Sequence, residues 1–315
     1  MHVIMTAPRL APQAAALIEA AGGTLHYMAP YPSAADVAAL AAQVQPVAIL
    51  SRQGPVTSAV MDAAPGLRIV ARHGVGVDDV DLHEAQRRGI IVTRAPGSNT
   101  QAVAEHTLAM LLALAKDLKP LSAQVAGGEW RNAGTKVRDV AGLRLSLVGC
   151  GAIGQAVARL ATAFGIAVAA YDPAGPDSPG ITRMTTLPEL LARSDVLSLH
   201  LPFSPATQHL IGAAELALLP PGAFVLNTAR GGLVDEVALQ QALISGHVAG
   251  AGLDVFEDEP PPGSHPLRCH PRVICTPHVA GVTDSSLVNM GVMAAECIAA
   301  VLQGGTVPPE RLVRV

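Results

Sequence analysis

Residues 143–154 read LRLSLVGCGAIG. An apolar run of strand character meets Gly149-Cys150-Gly151-Ala152-Ile153-Gly154, and a helical pattern follows from 155 to 164. This is G-x-G-x-x-G between a strand and a helix, the context that gives the motif its meaning. Gly149 permits the tight turn, Gly151 lets the backbone approach a pyrophosphate, and Gly154 lets helix and strand pack closely. The helix N-terminus adds unsatisfied N–H groups and the positive end of a dipole. A second strand-like run ends at Asp172, 23 residues after Gly149. An acid at about that distance accepts the adenosine ribose hydroxyls, and its charge repels a 2′-phosphate. The stretch therefore predicts a dinucleotide site, with NAD favoured over NADP.

Working outward, strand-like runs at 144–148, 166–171, 196–200, 224–227, 250–254 and 273–276 alternate with helical segments. Six such strands match a complete dinucleotide-binding sheet. Upstream, runs at 2–6, 24–28, 47–50, 67–71 and 90–92 alternate with a helical stretch at 12–21 and a helix capped by Ser33 and running through Ala42. That order predicts a second parallel α/β sheet. Ser98 and Gln101 fit a capping box opening a long helix whose apolar residues, Val103 to Ala115, cover more than one face. A helix at about 285–302 is expected to return to the first domain. The predicted fold is α/β, with two doubly wound parallel-sheet domains. A dinucleotide-binding domain, 98–284, is inserted in a discontinuous domain made of 1–97 and 285–315.

Composition bounds the function. With 315 residues, 50% hydrophobic and 15% charged, the chain has material for two cores, which excludes wholesale disorder. A net charge of -4 and 3% aromatics offer neither a basic field nor stacking rings, which argues against nucleic acid as a partner. The four cysteines form no C-x-x-C pair and are expected to be reduced thiols in a cytoplasmic protein. No signal peptide is expected, because residues 1–7 lack a basic region. The longest helical apolar stretch, taken as 108–115, is shorter than the roughly 20 residues of a membrane span. No metal is expected.

Three later strands end in chemistry-bearing loops: Asn227-Thr228-Ala229-Arg230-Gly231-Gly232, Leu253-Asp254-Val255-Phe256 followed by Glu257-Asp258-Glu259-Pro260, and Thr276-Pro277-His278-Val279-Ala280-Gly281. In a doubly wound sheet these loops share the carboxyl edge, where ligands bind. Hydride transfer to a 2-keto acid leaves an alkoxide that needs a proton. A histidinium, here His278, supplies it near neutral pH. A carboxylate beside the ring stabilises the protonated form. Glu259 is the expected partner, with Glu257 and Asp258 as rivals. Arg230 presents a planar fork to a substrate carboxylate and polarises the carbonyl. Asp254 is placed to bind the nicotinamide carboxamide.

With these motifs the sequence resembles the D-isomer-specific 2-hydroxyacid dehydrogenase family over nearly its whole length. The resemblance rests on 72–81 (RHGVGVDDVD), 95–107 (APGSNTQAVAEHT), the glycine loop, 227–232 (NTARGG), 253–256 (LDVF) with Glu259-Pro260, and 276–281 (TPHVAG). It implies a flavodoxin-like substrate domain, a Rossmann NAD-binding domain, a cleft between them, and a homodimer formed through the NAD-binding domain. It also implies Arg230 for substrate binding, His278 as acid/base and Glu259 as its partner. Gly74, Val75 and Gly76 would hold the substrate carboxylate through backbone groups, and Arg52 would reach the far end of the substrate. Gly149, Gly151, Ala152, Ile153, Gly154, Asp172, Leu201, Pro202, Thr207, Thr228, Ala229, Arg230, Asp254, His278, Ala280 and Gly281 would line the cofactor, with Val75 beside them.

Two departures stand out: Ala152 occupies a position where the family often has Arg or His, and Asp79 one where Asn is usual. Among the branches, the first-domain segments are most similar to phosphoglycerate dehydrogenase and hydroxypyruvate or glyoxylate reductase. Arg52 and Arg72 would then serve a phosphate or a hydroxymethyl group, and no C-terminal regulatory domain is expected. Two alternatives share the scaffold. One is formate or phosphite oxidation; formate dehydrogenases of this group pair the histidine with Gln, and Glu259 argues against it. The other is an NAD-sensing corepressor that keeps the same residues. His106 reads as a packing residue, and Trp130 as an interface or loop residue. Cys150 and Cys275 read as thiols that nothing activates.

Overall fold

The computed structural model describes residues 1–175 and 178–314. The chain divides into two compact units, Met1–Asn99 with Val282–Val315, and Thr100–Gly281. The first unit opens with β1 (His2–Met5), α1 (Pro12–Ala20), β2 (Thr24–Tyr27), α2 (Ala34–Val44), β3 (Ala48–Ser51), α3 (Ser58–Ala63), β4 (Ile69–Arg72), α4 (Leu82–Arg87) and β5 (Ile91–Thr93). All pairings are parallel and the order is β2-β1-β3-β4-β5, the flavodoxin-like arrangement. The central strands β1, β3 and β4 are buried on both faces and read as continuous apolar runs, whereas the edge strand β2 is partly exposed. Val3, Met5, Leu50, Ile69 and Ala71 pack to one side with Ala14 and Ile18 of α1. Ile4, Ile49, Val70 and Val92 pack to the other with Val37, Val60 and Ala85. Ser33 caps α2 as expected, accepting the Asp36 N–H at 3.2 Å while Asp36 accepts the Ser33 N–H at 2.9 Å.

The second unit runs α5 (Thr100–Ala115), α6 (Leu118–Ala126), β6 (Arg144–Val148), α7 (Ala152–Ala163), β7 (Ala167–Tyr171), β8 (Thr182–Arg183), α8 (Leu187–Leu191), β9 (Val196–Leu199), α9 (Ala213–Leu218), β10 (Ala223–Asn227), α10 (Glu236–Ile244), β11 (Val248–Leu253) and β12 (Val273–Cys275). Its parallel sheet has the order β12-β11-β10-β9-β6-β7-β8, so the strand order reverses at β6, which leads into the glycine loop. The sheet has seven strands rather than the six read from the sequence. The extra one, β8, is two exposed polar residues at the edge and carries no hydrophobic signal. The Ser98–Gln101 capping box does not form. The Ser98 hydroxyl donates to the Ala95 carbonyl at 2.7 Å, Gln101 reaches Glu105, and the helix starts at Thr100. Helix α5 is apolar on more than one side because it packs on α7, β10 and β11. Gly252 of β11 makes room for Met110, which a Cβ would touch at 3.0 Å.

The chain closes with α11 (Asp284–Leu302), which belongs to the first unit. At 19 residues it is longer than the 108–115 stretch and apolar enough to match a membrane span by length. Half of it is buried, with Ala294, Ala295, Ile298 and Val301 in one core with Val3, Met5 and α1. Burial within a helix–sheet layer explains the same composition.

His73 follows β4 and is buried at 6% exposure. Its N–H donates to the Ser51 carbonyl at 2.8 Å, and Gly291 of α11 leaves room for its ring. Burial, then the nearby charges of Arg52 and Arg72, push its imidazole down to about 4. Between about pH 6.5 and pH 4 the unfolded chain therefore binds a proton that the folded chain refuses. Stability is fully present above pH 6.5 and falls as pH drops toward 4, by up to about 3 kcal/mol for this residue. Burial pushes His200 down to about 4 as well, adding to the same window. Urea melts at stepped pH should show this loss, and His73→Gln should flatten it by roughly half. An unchanged slope in that variant rules out the assignment.

Candidate active site

The glycine loop joins β6 to α7 in the way the sequence predicts. Gly149 has φ +91°, and a Cβ there would collide with the His200 carbonyl at the end of β9. The same glycine lies against the Leu201 N–H, which places Leu201 beside the loop. Gly154 is equally constrained: a Cβ would strike the Gly149 carbonyl. Gly151 faces open space and is the N-cap of α7, with no side chain among the described residues closing that helix end. The free N–H groups of a 12-residue helix thus point outward, a ready anion site. Ala152 contributes no side-chain donor, so anion binding rests on the backbone. At the end of β7, Asp172 accepts N–H groups from Cys150 at 2.8 Å, Ala174 at 3.1 Å and Gly175 at 2.8 Å. Its carboxylate is fixed beside the loop, with one acceptor position left for a hydroxyl. An open anion site on a helix end and an oriented acid one strand over fit a dinucleotide.

The three later loops stand at the carboxyl ends of β10, β11 and β12. Asn227 shapes the first: its amide donates to the Arg230 carbonyl at 2.7 Å and accepts the Ala229 N–H at 3.1 Å. The Arg230 guanidinium is half-buried and donates to the Ala229 carbonyl at 2.7 Å. Gly231 lies against the backbone of Phe256 and Glu257, where no Cβ fits, so the first loop is seated on the second. In the second, Glu259 Oε1 accepts the Phe256 N–H at 3.1 Å and Oε2 meets His278 Nδ1 at 2.7 Å. Of the three acids considered from sequence, Glu259 is the partner; Glu257 pairs with His209 at 2.8 Å instead. Burial raises the Glu259 carboxyl, but the His278 hydrogen bond and charge, the Phe256 N–H and the Arg230 charge outweigh it and leave it below its ordinary value. His278 sits at φ +53°, a left-handed conformation that a non-glycine residue adopts at a cost of roughly 1–2 kcal/mol. The hydrogen bond from its N–H to the Asp254 carbonyl at 2.8 Å helps hold it there.

Asp254 is buried at 1% exposure and staples the last loop. Oδ1 accepts the Thr276 hydroxyl at 2.5 Å and the Val279 N–H at 2.9 Å; Oδ2 accepts the Ala280 N–H at 2.8 Å. One acceptor position remains for a carboxamide. The structure adds residues that the sequence reading passed over. His106 of α5 lies 3.0 Å from the Thr276 hydroxyl through Nε2. The hydroxyl hydrogen goes to Asp254, so His106 must be the donor, which corrects its reading as plain packing. Thr107 and Thr228 share a buried hydroxyl contact at 2.9 Å, fixing the side chain of Thr228. No spacing in the sequence announces either contact, since each joins α5 to a strand end more than a hundred residues away. Leu201, Pro202 and Thr207 lie in the loop after β9, where the Thr207 hydroxyl donates to the Pro202 carbonyl at 3.2 Å. Burial pushes the Cys150 and Cys275 thiols up, away from thiolate chemistry.

In the first unit, Arg52, Gly74, Val75 and Gly76 lie at the carboxyl ends of β3 and β4. Arg72 is engaged within its own unit. Its guanidinium donates to the carbonyls of Gly76 at 2.8 Å, Ser51 at 3.1 Å and Arg52 at 2.8 Å, and pairs with Asp79 at 3.0 Å. Asp79 thus gives Arg72 a counter-charge, a consequence that the sequence alone did not assign.

A family description, D-isomer specific 2-hydroxyacid dehydrogenase, NAD binding domain, matches residues 108–280. The D-3-phosphoglycerate dehydrogenase of Mycobacterium tuberculosis is 42% identical over 274 residues, 85% of this chain and 52% of its own. The hydroxypyruvate reductase of Thermotoga maritima is 37% identical over 245 residues, 77% of this chain and 80% of its own. The crystal structure of the TT0316 protein from Thermus thermophilus superposes with a TM-score of 0.92 at 37% identity, covering 100% of both chains. The chain spans about half the length of the phosphoglycerate dehydrogenases it matches. Strand order, glycine loop and family match agree: the chain belongs to the D-isomer specific 2-hydroxyacid dehydrogenase family, and its second unit is the NAD-binding domain.

Proposed function

We propose that this protein is an NAD-dependent oxidoreductase that interconverts a small D-2-hydroxy acid and its 2-keto acid. The observation that carries the proposal is the 2.7 Å contact between His278 Nδ1 and Glu259 Oε2, on strand-end loops beside the one bearing Arg230. With Nδ1 taken by Glu259, Nε2 is the nitrogen left to exchange a proton with substrate. A nicotinamide cofactor, when bound, would supply the hydride for the carbonyl carbon. His278 gives its Nε2 proton to the oxygen as negative charge develops there, and takes it back in the oxidising direction. Glu259 remains a carboxylate, holds the Nδ1–H and favours the imidazolium. Arg230 binds the substrate carboxylate and polarises the carbonyl. In the first unit, the family resemblance offers backbone groups of Gly74, Val75 and Gly76 to a substrate carboxylate. Gly149, Gly151, Ile153, Gly154 and Asp172 would hold the pyrophosphate and adenosine ribose; Thr228, Ala229, Asp254, Ala280 and Gly281 would line the nicotinamide end.

The substrate we favour is of the 3-phosphoglycerate, hydroxypyruvate or glyoxylate type. Burial lowers the pKa of the Arg52 guanidinium, and no carboxylate pairs with it among the described residues. A half-buried cation without a counter-charge suits an anionic or hydroxyl-bearing substrate end. We also propose a homodimer formed through the NAD-binding domain. Helix α6 buries no residue in its own unit, leaves Leu118 and Val125 exposed, and is followed by Trp130 at 75% exposure.

A panel of glyoxylate, hydroxypyruvate, 3-phosphohydroxypyruvate and pyruvate with NADH tests the activity; turnover of none of them refutes it. Arg230→Ala and His278→Ala should each lower kcat/KM by at least about a thousandfold. NADH affinity by fluorescence titration should stay within a few fold. Wild-type turnover in His278→Ala removes the proton-transfer role. Asp172→Ala should raise kcat/KM for NADPH relative to NADH, and an unmutated protein that already prefers NADPH defeats the assignment. Sedimentation should give twice the chain mass, and Val125→Asp with Trp130→Asp should shift it toward the monomer.

A further inference from the structure

Outside the Arg230, Glu259 and His278 group, one carboxylate holds both ends of the segment that carries Glu259. Glu236 Oε1 accepts the Glu257 N–H at 3.0 Å, and Oε2 pairs with His265 Nε2 at 2.9 Å. The two side chains are 13% and 15% exposed, so this is a shielded tie. Glu236 stands on a rigid support as the first residue of α10. Asp235 caps that helix by accepting the Val237 and Ala238 N–H groups, and Leu239 and Leu243 are fully buried. Between the ties, residues 257–265 include Pro260-Pro261-Pro262-Gly263 and are mostly exposed. That stretch has no core of its own; Arg268 donates to the Pro262 carbonyl at 3.0 Å and the Pro261 carbonyl at 3.4 Å from an exposed position, and the shielded ties are those at its two ends. The ring of His265 packs edge-on against Phe256 at 5.6 Å, drawing the second tie back toward the first. The His209–Glu257 pair adds a third contact, but at about 40% exposure for each side chain it is worth little.

We propose that Glu236 is a positioning residue for proton transfer. It closes 257–265 into a fixed loop, and the closed loop presents Glu259 to His278. The proposal rests on the reading of His278 and Glu259 given above. A carboxylate suits the task because it only accepts, and each oxygen takes one donor. Without it, Glu259 occupies the productive orientation for only part of the time, and the rate falls by that fraction.

A double-mutant cycle on the full chain tests this, with steady-state kinetics on NADH and the best keto acid of the panel. Glu236→Ala should lower kcat at least tenfold with KM for NADH within twofold. Glu236→Gln keeps an acceptor for Glu257 and offers a donor to neutral His265, so it should recover at least a third of wild-type kcat. In a Glu259→Gln background, adding Glu236→Ala should change kcat by less than twofold, because the step it serves is already lost. If Glu236→Ala does not fold, His265→Ala, which cuts one tie, takes its place in the cycle. Multiplicative losses in the double variant, or wild-type kcat in Glu236→Ala beside a slow Glu259→Gln, overturn the proposal and leave the proton-transfer reading standing. Wild-type kcat in Glu259→Gln overturns both.

Discussion

Parallel pairing is the constraint on which the second unit depends. When every strand runs the same way, every strand end feeds a loop on the same edge, and residues distant in the chain arrive side by side. Asp172, Arg230, Glu259 and His278 follow four different strands of one sheet, yet each stands at its carboxyl edge. The hydrogen bonds of the sheet fix this arrangement more firmly than any contact among the four residues. Register matters equally: Asn227 pairs with Leu253, and Leu253 with Cys275, so the three loops leave the sheet at matched heights.

Edge placement alone would leave these loops free to wander, and buried polar groups prevent that. Asn227 closes the arginine loop on itself, Asp254 gathers three donors from the histidine loop, and Gly231 lets the first loop rest on the second. Each group is shielded from water, where a lost partner costs roughly 1–3 kcal/mol. The strain stored at His278 is tolerated within this network, because the surrounding bonds over-determine its backbone.

Much of this was legible in the sequence, and the reason lies in what each signal depends on. Buried parallel strands appear as short apolar runs, so eleven strands of the two sheets emerge from hydrophobic spacing; β8, two exposed polar residues at an edge, does not. The glycine loop is legible because each glycine answers a local steric demand. Glu259 is the preferred acid in the sequence but keeps Glu257 and Asp258 as rivals, since three acids within three positions look alike until the backbone turns one of them toward the ring. The roles of His106, Thr107 and Arg72 were hidden for a different reason: their partners are distant in sequence, and polar contacts across a fold leave no periodic trace.

Arg72 and Arg52 show how partners decide function more than residue type does. Both are arginines at the carboxyl edge of the first sheet, and the sequence offers both to a substrate. Arg72 is held by three carbonyls and Asp79, so it braces the turn that carries Gly76. Arg52 is half-buried with no carboxylate partner among the described residues, and burial lowers its pKa. Residue type alone does not separate the two arginines; their partners do, with Arg72 bracing its turn and Arg52 left without a carboxylate partner among the described residues.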